Sequence, residues 1–361
     1  MNLKQNILIL SCAALLSGCG GGTGSSTNGI TNPSNKAIQS GQITDNTTGE
    51  PLVNVKVSIG NESTTTDVEG YYTLSNLTAN KEVVVNFEKE GYLLGSTEIK
   101  LKALSDDNKV SPNHIEFTMH VQDYTWEQES TKEIASPRIS INAFTAYNYM
   151  NGNPFNGSTV VSLTILDNNE QALLTNFPGG FKGINTNGSL VQFKSYGLIN
   201  IEVKDINGDI LQLAQEETAT LVFKQESSSE KLDTIPMWYY DYDQGLWVEE
   251  GYAQLQEDGT YKGEISHLGT WALNKPLEED PGIYRGRIID ENGTPVGDVR
   301  VYAIGKNWVS SDLTTDENGI FELKVIPGDD FELTAYDYQD KFGASYNNTI
   351  AAVASGDVVE D

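Results

Sequence analysis

Strict alternation of apolar and polar residues recurs along this chain in short bursts. Val53, Val55, Val57 and Ile59 form one series, and Val83, Val85 and Phe87 a second. Others are Ile139, Ile141, Ala143; Ile199, Ile201, Val203; Val299, Val301, Ala303; Phe321, Leu323, Val325; and Phe331, Leu333, Ala335. A period of two puts each series on one face of a strand and leaves the polar residues between them on a wet face. Turn dipeptides separate the bursts: Asn-Gly at 151–152, 156–157, 187–188, 207–208, 292–293 and 318–319, and Asp-Gly at 258–259. These residues tolerate the left-handed backbone of tight hairpins. After residue 18 no helical stripe stands out. Short strands punctuated by turns predict an all-β chain of sandwiches or barrels.

An internal repeat organises the strands. One copy reads Gly41-Gln-Ile-Thr-Asp45, Gly49-Glu-Pro51-Leu-Val-Asn-Val55-Lys-Val57 and Thr65-Thr-Asp67-Val-Glu-Gly70-Tyr-Tyr-Thr-Leu74. The other reads Gly286-Arg-Ile-Ile-Asp290, Gly293-Thr-Pro295-Val-Gly-Asp-Val299-Arg-Val301 and Thr314-Thr-Asp316-Glu-Asn-Gly319-Ile-Phe-Glu-Leu323. The spacing from proline to the paired valines is the same in both, as is that from aspartate to glycine. Proline stiffens the strand entry, the valines fill one sheet face, and Asp-x-x-Gly makes a tight turn. The repeat resembles the carboxypeptidase regulatory-like domain. That resemblance implies a transthyretin-like or Ig-like β-sandwich at 38–120 and another at 278–361, acting as accessory or spacer modules and not as peptidases. After Asn347 little chain remains for the last strands of the second copy.

Residues 121–277 follow neither copy and are expected to form a larger central β domain. Their signature is Ile235-Pro-Met-Trp238-Tyr-Tyr-Asp241-Tyr-Asp-Gln-Gly-Leu-Trp247, followed by Ser266-His267-Leu-Gly-Thr-Trp271. It resembles a β-rich ectodomain shared by some bacterial surface lipoproteins and a membrane-protein family, to which no catalytic chemistry is attached. Trp238, Tyr239, Tyr240, Tyr242 and Trp247 are the candidate ligand-binding residues, because sugar faces stack on aromatic rings. Alternation gives the same residues a second reading as core and cross-strand packing, with Trp238 or Tyr240 opposite Trp247.

At the N-terminus, Lys4 precedes an apolar run from Ile7 to Leu16, too short to span a bilayer and suited to a secretory leader. It ends in Leu16-Ser17-Gly18-Cys19, which resembles the bacterial lipobox. The resemblance implies removal of residues 1–18, lipid on the Cys19 sulfur and amine, and a cell-surface or outer-membrane address. Residues 19–37 are rich in Gly, Ser, Thr and Asn, the composition of a flexible tether. The expected partners are therefore the membrane, through the lipid on Cys19, and a glycan or an envelope protein.

The charge balance excludes one partner class. With 51 acidic and 23 basic side chains the formal charge is -28, and no basic patch relieves it, so nucleic acid is not a partner. Three His and two Cys leave little for zinc or thiol chemistry. His114 and His120 lack the His-x-x-Glu spacing of zinc peptidases, and no nucleophile elbow or phosphate loop is present. Asp205/Asp209, Asp241/Asp243, Asp290 and Asp316 could offer oxygens to calcium, but tight turns need the same residues. No catalytic residue, metal site or cofactor is assigned. The expected role is a lipid-anchored, non-catalytic structural, adhesive or ligand-presenting one. A carbohydrate-binding accessory lipoprotein for polysaccharide capture is the alternative. A hydrolase ranks behind both, since it would need a pocket with two facing carboxylates.

Overall fold

The computed structural model describes residues 35–360, except 104–112, 142–146, 169–170, 225–230, 291, 311–312 and 338–341. The leader and Cys19 lie outside the described residues, as does the tether up to residue 34. Among the described residues no helix is long and apolar enough to cross a membrane.

The first copy of the repeat folds into seven strands: β1 (Lys36–Asp45), β2 (Lys56–Ile59), β3 (Glu62–Thr65), β4 (Tyr71–Thr78), β5 (Glu82–Glu88), β6 (Gly95–Lys100) and β7 (His114–Met119). They form two sheets, β4-β1-β7 and β3-β2-β5-β6. Val55, Val57, Val85 and Phe87, all from the alternating series, fill the core with Ile43 and Ile115. Val53 departs from its expected series and is 39% exposed. Asn54 beside it takes φ 57° and turns the chain before β2 begins.

The second copy repeats this topology strand for strand. Its strands are β22 (Gly282–Arg287), β23 (Arg300–Ile304), β24 (Leu313–Thr314), β25 (Ile320–Val325), β26 (Phe331–Asp337), β27 (Phe342–Ile350) and β28 (Val358–Glu360). The sheets are β25-β22-β28 and β24-β23-β26-β27. In both copies the first strand pairs antiparallel with the fourth and parallel with the seventh. The seventh strand of the second copy is present but only three residues long.

Local devices are duplicated too. Thr66 Oγ1 donates to the Leu52 carbonyl at 2.6 Å and accepts from the Val55 amide at 2.9 Å. Thr315 does the same with Val296 (2.8 Å) and Val299 (3.1 Å). Both threonines are buried. Each hydroxyl staples the end of the proline segment to the threonine-aspartate turn, and the repeat keeps both sides of that bond.

Between the copies lies one 14-stranded sheet. Its strands are β8 (Tyr124–Glu129), β9 (Ile134–Ala135), β10 (Ile139–Ile141), β11 (Tyr147–Tyr149), β12 (Pro154–Phe155), β13 (Ser158–Asp167), β14 (Lys182–Ile184), β15 (Leu190–Asp205), β16 (Ile210–Leu213), β17 (Ala219–Phe223), β18 (Thr234–Asp241), β19 (Leu246–Leu255), β20 (Tyr261–Ile265) and β21 (Gly269–Pro276). A six-residue helix, α1 (Gln171–Asn176), interrupts the strands where the sequence shows no helical stripe. A single turn and a half is too short to display a periodicity.

The sixteen-residue β15 pairs with four strands: β13, β14, β16 and β21. Pairing in the order β15-β21-β18-β19-β14 and back to β15 closes a ring of five strands at one end of the sheet. Alternation then assigns side chains to two different cores. Ile235, Met237, Trp271 and Leu273 face one. Trp238, Tyr240, Trp247 and Phe193 face the other.

Candidate functional site

Four of the five aromatic residues singled out by sequence, Trp238, Tyr240, Tyr242 and Trp247, converge where the ring of strands meets the first sandwich. The hairpin between β18 and β19 sets Tyr240 directly opposite Trp247, while Trp238 faces Glu249. Asp241 holds the turn: its Oδ1 accepts the amides of Asp243 (2.9 Å) and Gln244 (3.0 Å). Phe177 stacks on Phe181 at 4.4 Å and on Trp247 at 4.6 Å between ring centroids. Phe193 lies 5.1 Å from Trp238. The indole Nε1 of Trp247 donates to the Pro178 carbonyl at 2.8 Å, and that of Trp238 to the Asn274 carbonyl at 3.0 Å. These contacts satisfy the one polar atom of each buried indole.

Trp238 and Trp247 are fully buried and Tyr240 is 4% exposed. A sugar cannot stack on a ring without a free face, so for these three the platform expectation gives way to core packing. The reason is the covering loop Phe177–Phe181 and the first sandwich above it. Gly179 takes φ 65°, and a Cβ there would stand 2.4 Å from the Tyr240 ring. Only glycine lets the loop lie this close.

Tyr239 points the other way, as strand alternation requires, and is half-buried. Its ring meets His267 edge-on at 4.8 Å, and His267 tilts against Trp271 at 4.8 Å. Glu250 approaches His267 Nε2 at 3.6 Å and accepts from Ser266 Oγ at 3.0 Å. The serine hydroxyl therefore bonds the carboxylate and not the imidazole.

Tyr242 is half-buried, and its hydroxyl lies 3.0 Å from both the Leu94 carbonyl and Thr270 Oγ1. Burial pushes both the Tyr240 and the Tyr242 hydroxyl well above the ordinary phenol value, against the smaller opposing effect of their Ser96 and Thr270 hydrogen bonds. Both rings thus sit under the first sandwich as neutral phenols. Ser96 Oγ is 2.9 Å from the Tyr240 hydroxyl, and the Ser96 carbonyl accepts the Gly179 amide at 3.0 Å. Sequence reasoning missed Ser96. Nothing in a serine on an edge strand distinguishes it until the partner loop is in place.

The aspartate turns use their own oxygens. Asp205 Oδ1 accepts the Asn207 and Asp209 amides (2.8 and 3.0 Å), Asp290 those of Asn292 and Thr294 (2.9 and 2.8 Å), and Asp316 those of Asn318 and Ile320 (both 2.8 Å). The Thr294 amide is the largest influence on Asp290, and it holds that carboxyl below the ordinary carboxylate value. Among the described residues no three His, Cys, Asp or Glu side chains gather as a metal site.

Residues 40–111 match the model of the carboxypeptidase regulatory-like domain. Two curated relatives are cartilage intermediate layer protein 1 of Mus musculus (21% identical over 243 residues, 63% of this chain) and of Homo sapiens (27% over 115 residues, 32% of this chain). This chain spans only 20% and 10% of their respective lengths. Solved structures with likeness include the full-length major pilin SpaD of Corynebacterium diphtheriae (10% identity, covering 90% of this chain and 96% of that one, TM-score 0.21). Another is the Bacillus anthracis TIE protein (14% identity, 90% and 50% covered, TM-score 0.21). At such scores the superpositions carry no weight for this chain's role.

Proposed function

We propose that this chain is a non-catalytic envelope protein, held at a membrane by lipid on Cys19, in which three β modules form a structural, adhesive or ligand-presenting body. The observation that carries the reading is the duplication. Two sandwiches of one topology stand on a central sheet, and their polar groups serve the fold. The threonine staples and aspartate turns hold backbone, and the large aromatic rings fill cores. The family match on the first sandwich supports an accessory module. The shared topology extends that reading to the second.

The modules are not beads on a string. Both sandwiches contact the central domain, through Lys182 with Glu98 and through Lys194 with Asp329. Lys102 and Asp298 join the two sandwiches to each other. Contacts of this kind hold the modules against one another in the docked state, which suits display better than reach.

Mass spectrometry of protein extracted from membranes tests the anchor. The expected product begins at an acylated Cys19. A soluble product that keeps its leader, or starts elsewhere without lipid, overturns it.

A further inference from the structure

The two sandwiches are attached to the central domain by different physics. The buried side chains of the second, among them Tyr284, Val301, Trp308, Phe321 and Phe331, belong to one continuous apolar cluster with Phe193, Trp238 and Trp247 of the central ring. The buried side chains of the first form a cluster of their own, from Ala37 to Met119. Among the described residues Leu93 alone of its buried apolar side chains reaches into the central cluster, and the half-buried Val84 packs on Gly245 of the β18–β19 turn.

What joins the first sandwich to the centre is mainly polar. Ser96 meets the Tyr240 hydroxyl and the Gly179 amide, Asn86 Nδ2 donates to the Tyr242 carbonyl at 3.2 Å, the Tyr242 hydroxyl donates to Leu94, and Lys182 pairs with Glu98. Water can replace each of these partners when the surfaces part, so each holds the junction only weakly. Separating a shared apolar core exposes surface that water does not satisfy.

We infer that the first sandwich is a reversibly docked module, able to part from the central domain while staying folded, whereas the central domain and the second sandwich open only together. Parting uncovers Tyr240, Tyr242 and the edge of β6. The joint lies between β7 and β8, where Val121 bridges to Tyr92.

Two amides report the two junctions separately. The Gly179 amide is held across the first junction by the Ser96 carbonyl. The Ser195 amide is held across the second by the Asn307 carbonyl at 3.0 Å. Hydrogen exchange on the full chain should release Gly179 in a low-energy opening that leaves the amides of β1 and β4 protected. Ser195 should exchange only with the amides of β15 and β21. Tyr240→Phe keeps the ring and removes the hydroxyl, and Lys182→Met removes the ion pair. Each should speed Gly179 exchange roughly two- to tenfold, the population change set by one net hydrogen bond, with Ser195 unchanged. Exchange of Gly179 in step with Ser195, or insensitivity of Gly179 to both substitutions, would overturn the inference.

Discussion

Arg138 grips Asp167 with both arms of its guanidinium, Nη1 to Oδ2 at 2.9 Å and Nη2 to Oδ1 at 2.5 Å, while its Nε donates to the Val222 carbonyl at 2.7 Å. One side chain thereby ties the segment before β10 to the end of β13 and to β17. The arginine is 8% exposed and the aspartate 23% at the side chain. Removing one partner leaves the other charge poorly solvated, a loss of about 3–5 kcal/mol for fully buried pairs. For this partly exposed pair Arg138→Met should cost about 2–3 kcal/mol. Asp167→Asn should cost nearly as much, read by urea denaturation. Equal midpoints for wild type and Arg138→Met would show the pair to be idle.

The threonine staples are predicted to be equivalent. Thr66→Val and Thr315→Val each strand one buried amide and one carbonyl, at about 1–3 kcal/mol per unsatisfied group. Thr66→Ser and Thr315→Ser should restore most of the loss. A valine variant with unchanged thermal stability would contradict the staple.

Gly70 (φ 77°) and Gly319 (φ 72°) end the two Asp-x-x-Gly turns, and a Cβ would stand 2.6 Å from the Ile43 carbonyl oxygen and 2.3 Å from that of Ile288. Alanine at either site adds left-handed strain of about 1–2 kcal/mol to a backbone clash. Soluble yield of Gly70→Ala and Gly319→Ala should fall well below wild type, whereas alanine at Gly49, where nothing stands within 4 Å, should cost only the strain.

Alkaline titration should be delayed and cooperative. Burial pushes Tyr147 up to about 12, and burial together with Asp45 does the same to Tyr92. Burial raises Tyr240 and Tyr242 as well. A phenol whose value is raised in the folded chain leaves stability intact below about 10, its unfolded value, and withdraws it as pH rises from there towards 12. Tyrosinate absorbance should therefore show a late fraction that appears with loss of near-ultraviolet dichroism. A single smooth titration near 10 would contradict this.

On the acid side the sign reverses. Burial alone would raise Asp45, but the Thr48 and Thr47 amides and the Tyr92 hydroxyl outweigh it and hold the carboxyl below its ordinary value. Asp205 is lowered in the same way by the Asp209 and Asn207 amides, again against burial. Their contribution is complete above the unfolded value of about 3.9 and is lost as pH falls below it. Melting temperature should be flat from neutrality to about pH 5 and fall below pH 4. Calcium or chelator should not move it, since the Oδ1 of each aspartate already accepts two turn amides and the Oδ2 a tyrosine hydroxyl.

How much of this was legible in the sequence depends on range. Val55, Val57, Val299 and Val301 declared their faces through period two, and Asp67 and Asp316 declared their turns through a glycine three residues on. The pairing of Tyr240 with Trp247 could be drawn from one hairpin. What covers that pair could not, because Ser96 lies 144 residues away. Whether an aromatic face is open or covered is a long-range fact, and a sugar platform and a core have the same local pattern. Helix α1 escaped for the opposite reason, being too short to repeat.

The sixteen residues of β15 also fix an order of events. A chain emerging N-terminus first can complete the first sandwich from residues 36–119, because every strand pairing in it is internal to that span. The central sheet cannot close then: β15 awaits β21, some seventy residues downstream in synthesis, with β18 and β19 still to come between them. Until Pro276 is out, β15, the longest of the described strands, has one edge bare over most of its length. The window in which this protein is most vulnerable to mispairing is therefore written into its topology, and it falls between a finished first module and an unfinished second.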